Sequence, residues 1–341
     1  MDIENIKNLK TTARDRLSSC EGGARIALFY AAVIVGMSFL INGGRTILDS
    51  QISKFGGLQN MGLRSFLSTV STKLPILMNF LLMCLGLGFT GAMLRISRQQ
   101  YVSLNSLKIG FDRFWLLLKV TLLQGGLYVL ACMASYFISM QIFFLTPLSN
   151  GLLSAMAPML KEGTNDVMVI LENPAILQKL ASSMIPLYGI MIVVFLLGAA
   201  PIYYRYILTK YIILDHPAIG ALAAMRESRM LMRTHGVQFF KLDVSLWVYY
   251  VATAIAVVIC YGATILTLLG VSFPVSPMAV SIGCFLVYLV LTFLITLFLQ
   301  PHVEVTHALA YEALKPKEEA AGGAVLGNIF DLARDQMGDQ F

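Results

Sequence analysis

The chain has 341 residues, of which 57% are hydrophobic and only 13% charged, and its mean hydropathy is +0.74. An average soluble domain is about 25% charged, so this composition excludes a soluble globular protein and predicts an all-α, polytopic membrane bundle. The +6 net charge does not require nucleic acid, because cytoplasmic loops rich in Lys and Arg account for it in a membrane protein.

A helix needs about 20 apolar residues to cross the hydrocarbon core, and six segments reach or approach that length: 26–41, 74–94, 114–144, 184–213, 244–269 and 278–299. The first is slightly short and is expected to run on towards Ile47. The third and fourth exceed the need, so they tilt, break or project beyond the bilayer. A charged, polar stretch precedes the first run and no small-residue cleavage site closely follows it, so that span is expected to stay in the mature protein. Residues 1–314 then form the membrane domain and 315–341 a cytoplasmic tail.

Lys and Arg set the expected orientation. Lys7, Lys10, Arg14, Arg16 and Arg25 precede the first span; Arg95, Arg98, Lys108 and Arg113 follow the second. Arg205, Lys210, Arg226, Arg229, Arg233 and Lys241 follow the fourth, and Lys315, Lys317 and Arg334 lie in the tail. The opposite side holds only Arg45, Lys54, Arg64, Lys73, Lys161 and Lys179. By the positive-inside rule both termini are cytoplasmic.

A loose repeat underlies the chain, in which each outgoing span follows a cytoplasmic segment of helical periodicity. In the first unit Ile3, Ile6, Leu9, Ala13 and Leu17 share a face, and Gly22 and Gly23 precede the span. In the second, Tyr101, Leu104, Leu107 and Phe111 recur around Gly110, ahead of Phe114 and Trp115. In the third, Pro217 suits a first helical turn that Asp215 or His216 caps. Its Arg226, Arg229 and Arg233 fall on one face, with Ala221, Ala224, Met225, Ser228, Leu231 and Met232 on the other, and Gly236 is expected to end it. These helices are predicted to lie at the cytoplasmic lipid interface, with Arg226, Arg229, Arg233 and Lys241 towards anionic headgroups or a partner. Between spans, 42–73 reads as a featureless polar loop, 146–183 as a longer loop with short helices and the acidic Glu162, Asp166 and Glu172, and the stretch around Pro274 and Pro277 as a tight turn. After Pro301 the chain stays helical through Leu314, and a Gly322, Gly323 linker leads to a last amphipathic segment, 325–337.

The run LDHPAIGALAAMRESRMLMRTHGVQFFKLDVSLW resembles the core signature of a bacterial integral membrane family catalogued as domain of unknown function 975. The matching features are Asp215, Pro217, Ala224, Ser228, Leu231, Met232, Phe240, Leu242 and Ser245, and LKTTARDRL at the start and PHVEVTHALAYEAL from Pro301 onward look like the same family. His302 departs from it, where an aromatic residue is expected. The resemblance implies a bundle in the bacterial cytoplasmic membrane and no known activity.

Motifs that carry chemistry elsewhere are better explained here by packing. GLGFTG, from Gly86 to Gly91, matches G-x-G-x-x-G but sits inside an apolar span rather than at a strand-to-helix turn, so close packing through small residues is the expected role. His302, Glu304 and His307 invite a metal, but helix positions five apart point about 140° away from each other and positions two apart about 200°, so the three do not converge. They are read as interfacial polar residues. Met225, Met230 and Met232 are adaptable packing side chains rather than soft-metal ligands. Cys20, Cys84, Cys132, Cys260 and Cys284 show no C-x-x-C or framework spacing and are read as apolar packing residues. Asn173-Pro174-Ala175 occurs once, in an external loop, and is discounted as a channel motif. No Ser/His/Asp order, Walker loop or H-E-x-x-H is present, so neither enzyme activity nor a cofactor or metal is expected.

Charge is nearly absent from the predicted spans. With Arg205 and Lys210 counted as charges of the loop that follows the fourth span, Lys119 and Asp243 are the charges left in the apolar segments, each near the cytoplasmic edge and able to snorkel, while Asn79, Gln124 and Tyr128 supply neutral interior polarity. Because a mid-membrane charge costs about 2.5–3.5 kcal/mol on insertion scales, this pattern argues against a proton relay or ion-coupled carrier. Two functions remain open. One is a non-catalytic scaffold or accessory component binding lipid, a protein partner or a second copy. The other is a permease-like protein for an apolar or amphiphilic solute, flexing at Gly198, Pro201 and Pro301. A polar cavity lined by Tyr128, Gln124 or Asn79 favours the second, and a closely packed interior removes it.

Overall fold

The structure is a computed structural model that describes residues 5–54, 61–151, 154, 174–216, 218–268 and 277–315. Among them every regular element is helical: α1 (Ile6–Ser19), α2 (Glu21–Lys54), α3 (Met61–Ser97), α4 (Ile109–Asp112), α5 (Phe114–Leu145), α6 (Pro174–Tyr206), α7 (Thr209–Asp215), α8 (Ala221–Ser245), α9 (Trp247–Leu268), α10 (Pro277–Leu294) and α11 (Gln300–Leu314). Five helical segments are long and apolar enough to cross a membrane, and the count reaches six if the pair Ala221–Ser245 and Trp247–Gly262, bent by 65°, is one broken span. Helices are the expected solution in lipid, where each backbone N–H and C=O must find its partner within the segment.

Three helical hairpins, α2 with α3, α5 with α6 and α9 with α10, make up the bundle, and α10 also packs on α2. Each follows the leader segment that the repeat predicts. The principal core lies at one end of the bundle, where Leu9 and Ala13 of α1, Phe89 and Met93 of α3, Ile212 and Ile213 of α7, Phe239 of α8 and Val305 and Leu309 of α11 are buried together. Away from this packed end the arms present apolar side chains outward, including Leu122, Leu130 and Phe137 of α5. A helix that is apolar on every face suits lipid on its outer side and protein on its inner side.

Several boundaries differ from the sequence-based expectation. The stretch 42–73 is largely helix, since α2 continues to Lys54 and α3 begins at Met61 and passes through Pro75. The fourth span breaks after Tyr206 and resumes as α7 at Thr209, which is how its excess length is absorbed. Gly236 does not end α8, which runs on to Ser245: a mid-helix glycine costs about 1 kcal/mol, and burying Phe239 and Leu242 offsets more than that, at about 1.5–3 kcal/mol each. The helix starts at Ala221 with Gly220 as N-cap and no side-chain cap, so neither Asp215 nor His216 caps it. Pro217, Glu162, Asp166, Glu172, Pro274 and the segment 325–337 lie outside the described residues. Ahead of Pro301 the last span widens into a π-turn, Ile295–Leu299, an adjustment that accommodates a proline ring and its missing N–H.

The first two leader segments also differ from helices resting on lipid. Leu9 and Ala13 of α1 are fully buried because this face packs on α11 and α3. The second leader is a 3₁₀ turn, Leu104–Lys108, followed by the single turn α4, and it presses its backbone onto α3. A Cβ added at Gly88 would overlap the Leu107 carbonyl, and one added at Gly110 would overlap that of Cys84. Gly86 faces the Tyr30 hydroxyl and Gly91 the Leu214 side chain. The GLGFTG stretch therefore serves close packing, as expected, but against a loop and a tyrosine as well as a helix. Its neighbourhood includes Tyr30 stacked on Phe89 at 4.1 Å between ring centroids.

Candidate functional site

Ionisable side chains converge at the packed end, and they tie the three hairpin units together. Lys210 stands in α7, inside a run of apolar residues, and its ammonium donates to both oxygens of Glu304 on α11 at 2.8 Å. The same carboxylate accepts from the Tyr211 hydroxyl at 2.9 Å and from Thr90 Oγ1 of α3 at 3.4 Å. Glu304 thus joins the first, second and third units at one point. Lys210 also sits 5.1 Å from the centroid of the Tyr211 ring, and that ring stacks on Tyr311.

A second layer repeats the arrangement. Arg98, just beyond α3, donates to Asp215 at the end of α7 at 2.8 Å and, through Nε, to Glu312 of α11 at 2.8 Å. Asp215 also pairs with Lys315 at 2.9 Å and accepts from the Tyr311 hydroxyl at 3.1 Å. Burial alone would lower the pKa of the Arg98 guanidinium, and the hydrogen bonds from it to Asp215 and Glu312 more than compensate, leaving it raised. Thr90–Glu304 and Arg98–Glu312 are both separated by 214 residues, so α3 and α11 run parallel in register and carry the two layers at successive levels.

A third cluster joins α8 to α11 and α6. His307 Nε2 lies 2.6 Å from Asp243 Oδ1, and the Tyr204 hydroxyl donates to Asp243 Oδ2 at 3.0 Å. The His307 and Asp243 side chains are 4% and 6% exposed, so this carboxylate does not snorkel. Lys10 of α1 donates to the Ser245 carbonyl at 2.9 Å, placing a cation at the C-terminal end of α8, where the helix dipole favours one.

The motif residues serve this framework. Ser228 Oγ donates to the Arg205 carbonyl at 3.0 Å, fastening α8 to α6, while Met232 and Pro301 are buried and Leu231 packs at the edge of the core. Ser245 Oγ returns to its own helix, at the Leu242 carbonyl. Arg226, Arg229, Arg233 and Lys241 are all exposed, on the face of α8 opposite buried Ala224, Met225, Ser228 and Met232.

The predicted interior residues divide. Gln124 and Tyr128 line a cavity of about 210 Å³ between α5 and the α6–α7 break, together with Tyr203, Thr209 and Lys210. Asn79 and Lys119 are exposed on the outside of the bundle and take no part. Glu304 and His307, expected as interfacial polar residues, are core members, and each has its own partner. Among the described residues no three His, Cys, Asp or Glu side chains form a group able to hold a metal, and the five cysteines are free.

Sequence reasoning missed Lys210–Glu304 and Arg98–Asp215–Glu312 because it counted Lys210 and Arg98 as loop charges. The available signal was Lys210 itself, three residues before the end of a predicted span, because an ionisable group inside apolar sequence usually has a buried partner.

No curated protein and no solved structure matches this chain. A family model described as "Protein of unknown function (DUF975)" matches residues 1–318, and the chain belongs to that family.

Proposed function

We propose that this protein is a non-catalytic membrane scaffold or accessory component of the bacterial plasma membrane, with both termini cytoplasmic, and that it engages anionic headgroups or a protein partner through the basic face of α8. The observation that carries this reading is the division of α8. One face is locked into the core through Met232, Phe239, Leu242 and the His307-paired Asp243, and the other presents Arg226, Arg229, Arg233 and Lys241 outward, with no ion pair from any of the four among the described residues. A rigid helix carrying a row of free cations suits a surface of fixed negative charge. The core favours a static frame over a moving one, because its carboxylates are met by cations and hydroxyls from several helices and each displacement would strand a buried charge.

Native mass spectrometry of the protein in mild detergent tests this, comparing the wild type with an Arg226→Ala, Arg229→Ala, Arg233→Ala variant. Loss of associated anionic lipid in the variant is expected. Unchanged lipid content refutes the assignment to α8.

A specific observation also favours a permease-like protein for an amphiphilic solute. The cavity beside Gln124 and Tyr128 contains Thr209, whose buried Oγ1 has no hydrogen-bond partner. A co-purifying amphiphile retained by the triple variant and lost on Gln124→Leu would select that reading.

A further inference from the structure

A second cavity, of about 450 Å³, opens where the second leader meets the end of α3, and its polar lining is Arg95, Arg98, Gln100, Asp112, Arg113 and Asp215. That volume falls in the range of about 300–1,000 Å³ typical of small-molecule sites. Its charges are not balanced internally. Arg98 and Asp215 satisfy each other, and Asp215 has Lys315 besides. Of the remaining groups, Arg95 donates, among the described residues, only to the Ser106 hydroxyl, at 3.3 Å. Arg113 Nη1 is buried and has no hydrogen-bond partner. Two guanidiniums therefore face one further carboxylate, Asp112. Burial lowers the Arg113 pKa, with Asp112 acting in the opposite sense, as expected of a cation short of counter-charge. A buried, unsatisfied guanidinium nitrogen is costly, and an anion would remove that cost.

The position of the cavity indicates what kind of anion. Arg113 immediately precedes α5, an apolar helix of 32 residues, and the adjoining Trp115 is 72% exposed, as in the aromatic belt at headgroup depth. Leu94 and Leu214 supply an apolar wall, and exposed Leu122 continues the apolar surface along α5. The geometry points to a discrete binding site for a phosphate-bearing anion, held by the guanidiniums of Arg113 and Arg95, with the headgroup of an anionic glycerophospholipid as its source. Arginine forks match phosphate oxygens two at a time, which a diffuse basic surface does not require. The site rests on the membrane-embedded reading but is separate from the α8 face.

The test is lipid retention by the full-length protein after exchange into mixed phosphatidylglycerol and phosphatidylcholine vesicles, re-extraction and native mass spectrometry. The wild type and the Arg226, Arg229, Arg233 to Ala variant are both expected to keep one phosphatidylglycerol through extended washing, over and above the lipid that the variant loses from α8. Arg113→Gln is expected to lower that retention by about tenfold or more, the scale of one lost charge-assisted hydrogen bond, with Arg113→Lys recovering part of it. Arg95→Gln gives the same readout should Arg113→Gln not fold. Equal retention in the wild type and both glutamine variants overturns the site. Loss in the α8 variant alone also overturns it, while leaving the α8 proposal intact. Displacement of the lipid by inorganic phosphate at comparable concentration overturns the lipid headgroup as the source and assigns the cavity to a soluble anion.

Discussion

Replacing Glu304 with glutamine removes a carboxylate at which all three hairpin units meet, and the structure sets the size of the effect. The Glu304 side chain is 14% exposed and its partner Lys210 is 32% exposed. Breaking a fully buried ion pair costs about 3–5 kcal/mol, mostly by stranding the remaining charge. Partial exposure of Lys210 moves Glu304→Gln to the lower end, about 3 kcal/mol. Lys210→Met strands the more buried member, which keeps only the Tyr211 and Thr90 hydroxyls, so it costs at least as much. The double variant carries no unpaired charge and should lose no more than either single change, which implies a coupling energy of about 3 kcal/mol, large for a contacting pair. Thermal unfolding in detergent, followed by circular dichroism, reads this as a shift of about 2 °C per kcal/mol. Each single variant is then expected to melt about 6 °C lower, and the double variant no lower than either. Additive losses in the double variant would refute the argument that the pair acts as a unit.

The glycine contacts predict a contrast along the sequence. Gly88→Ala and Gly110→Ala drive a methyl into a carbonyl of the backbone and should each lower yield and melting temperature sharply, by the equivalent of about 3 kcal/mol or more. Gly125→Ala and Gly126→Ala meet open space and should be neutral or stabilising by up to about 1 kcal/mol. At the third cluster, His307→Phe leaves the Asp243 carboxylate with hydroxyl partners only and is expected to cost about 3 kcal/mol, whereas Tyr204→Phe removes one hydrogen bond and should cost about 1 kcal/mol. The reverse order in thermal melts would show that Tyr204, not His307, holds Asp243. The Arg226, Arg229, Arg233 to Ala variant should melt within about 0.5 kcal/mol per site of the wild type, so that any loss of lipid is not a loss of fold.

Much of the architecture was legible from local signals. The apolar runs mark the spans because a bilayer accepts only segments that satisfy their own backbone, and the opposite faces of α8 follow from 3.6-residue periodicity, with Arg226, Arg229 and Arg233 outward and Ser228 and Met232 inward as expected. Gly236 misled because a helix breaker was weighed without the burial of Phe239 that overrides it. The α1 leader misled for a related reason: an amphipathic face is the same in sequence whether lipid or another helix covers it, and here α11 covers it.

The candidate site was legible only in fragments. Asp243 and Gln124 were singled out as polar groups among apolar neighbours, but partners 39 to 214 residues away, as across this network, cannot be read from spacing. Composition and hydropathy by themselves determined a helical chain with five or six segments long and apolar enough to cross a membrane, because that depends on the solvent each segment meets. Tertiary structure alone decided that Glu304, Asp215, Asp243 and His307 are largely withdrawn from the surface and that half-buried Lys210 and Arg98 are their partners rather than loose loop charges. Whether a charge is buried depends on the counter-charge that folding brings beside it, and for Glu304 and Asp215 those partners come from different hairpin units.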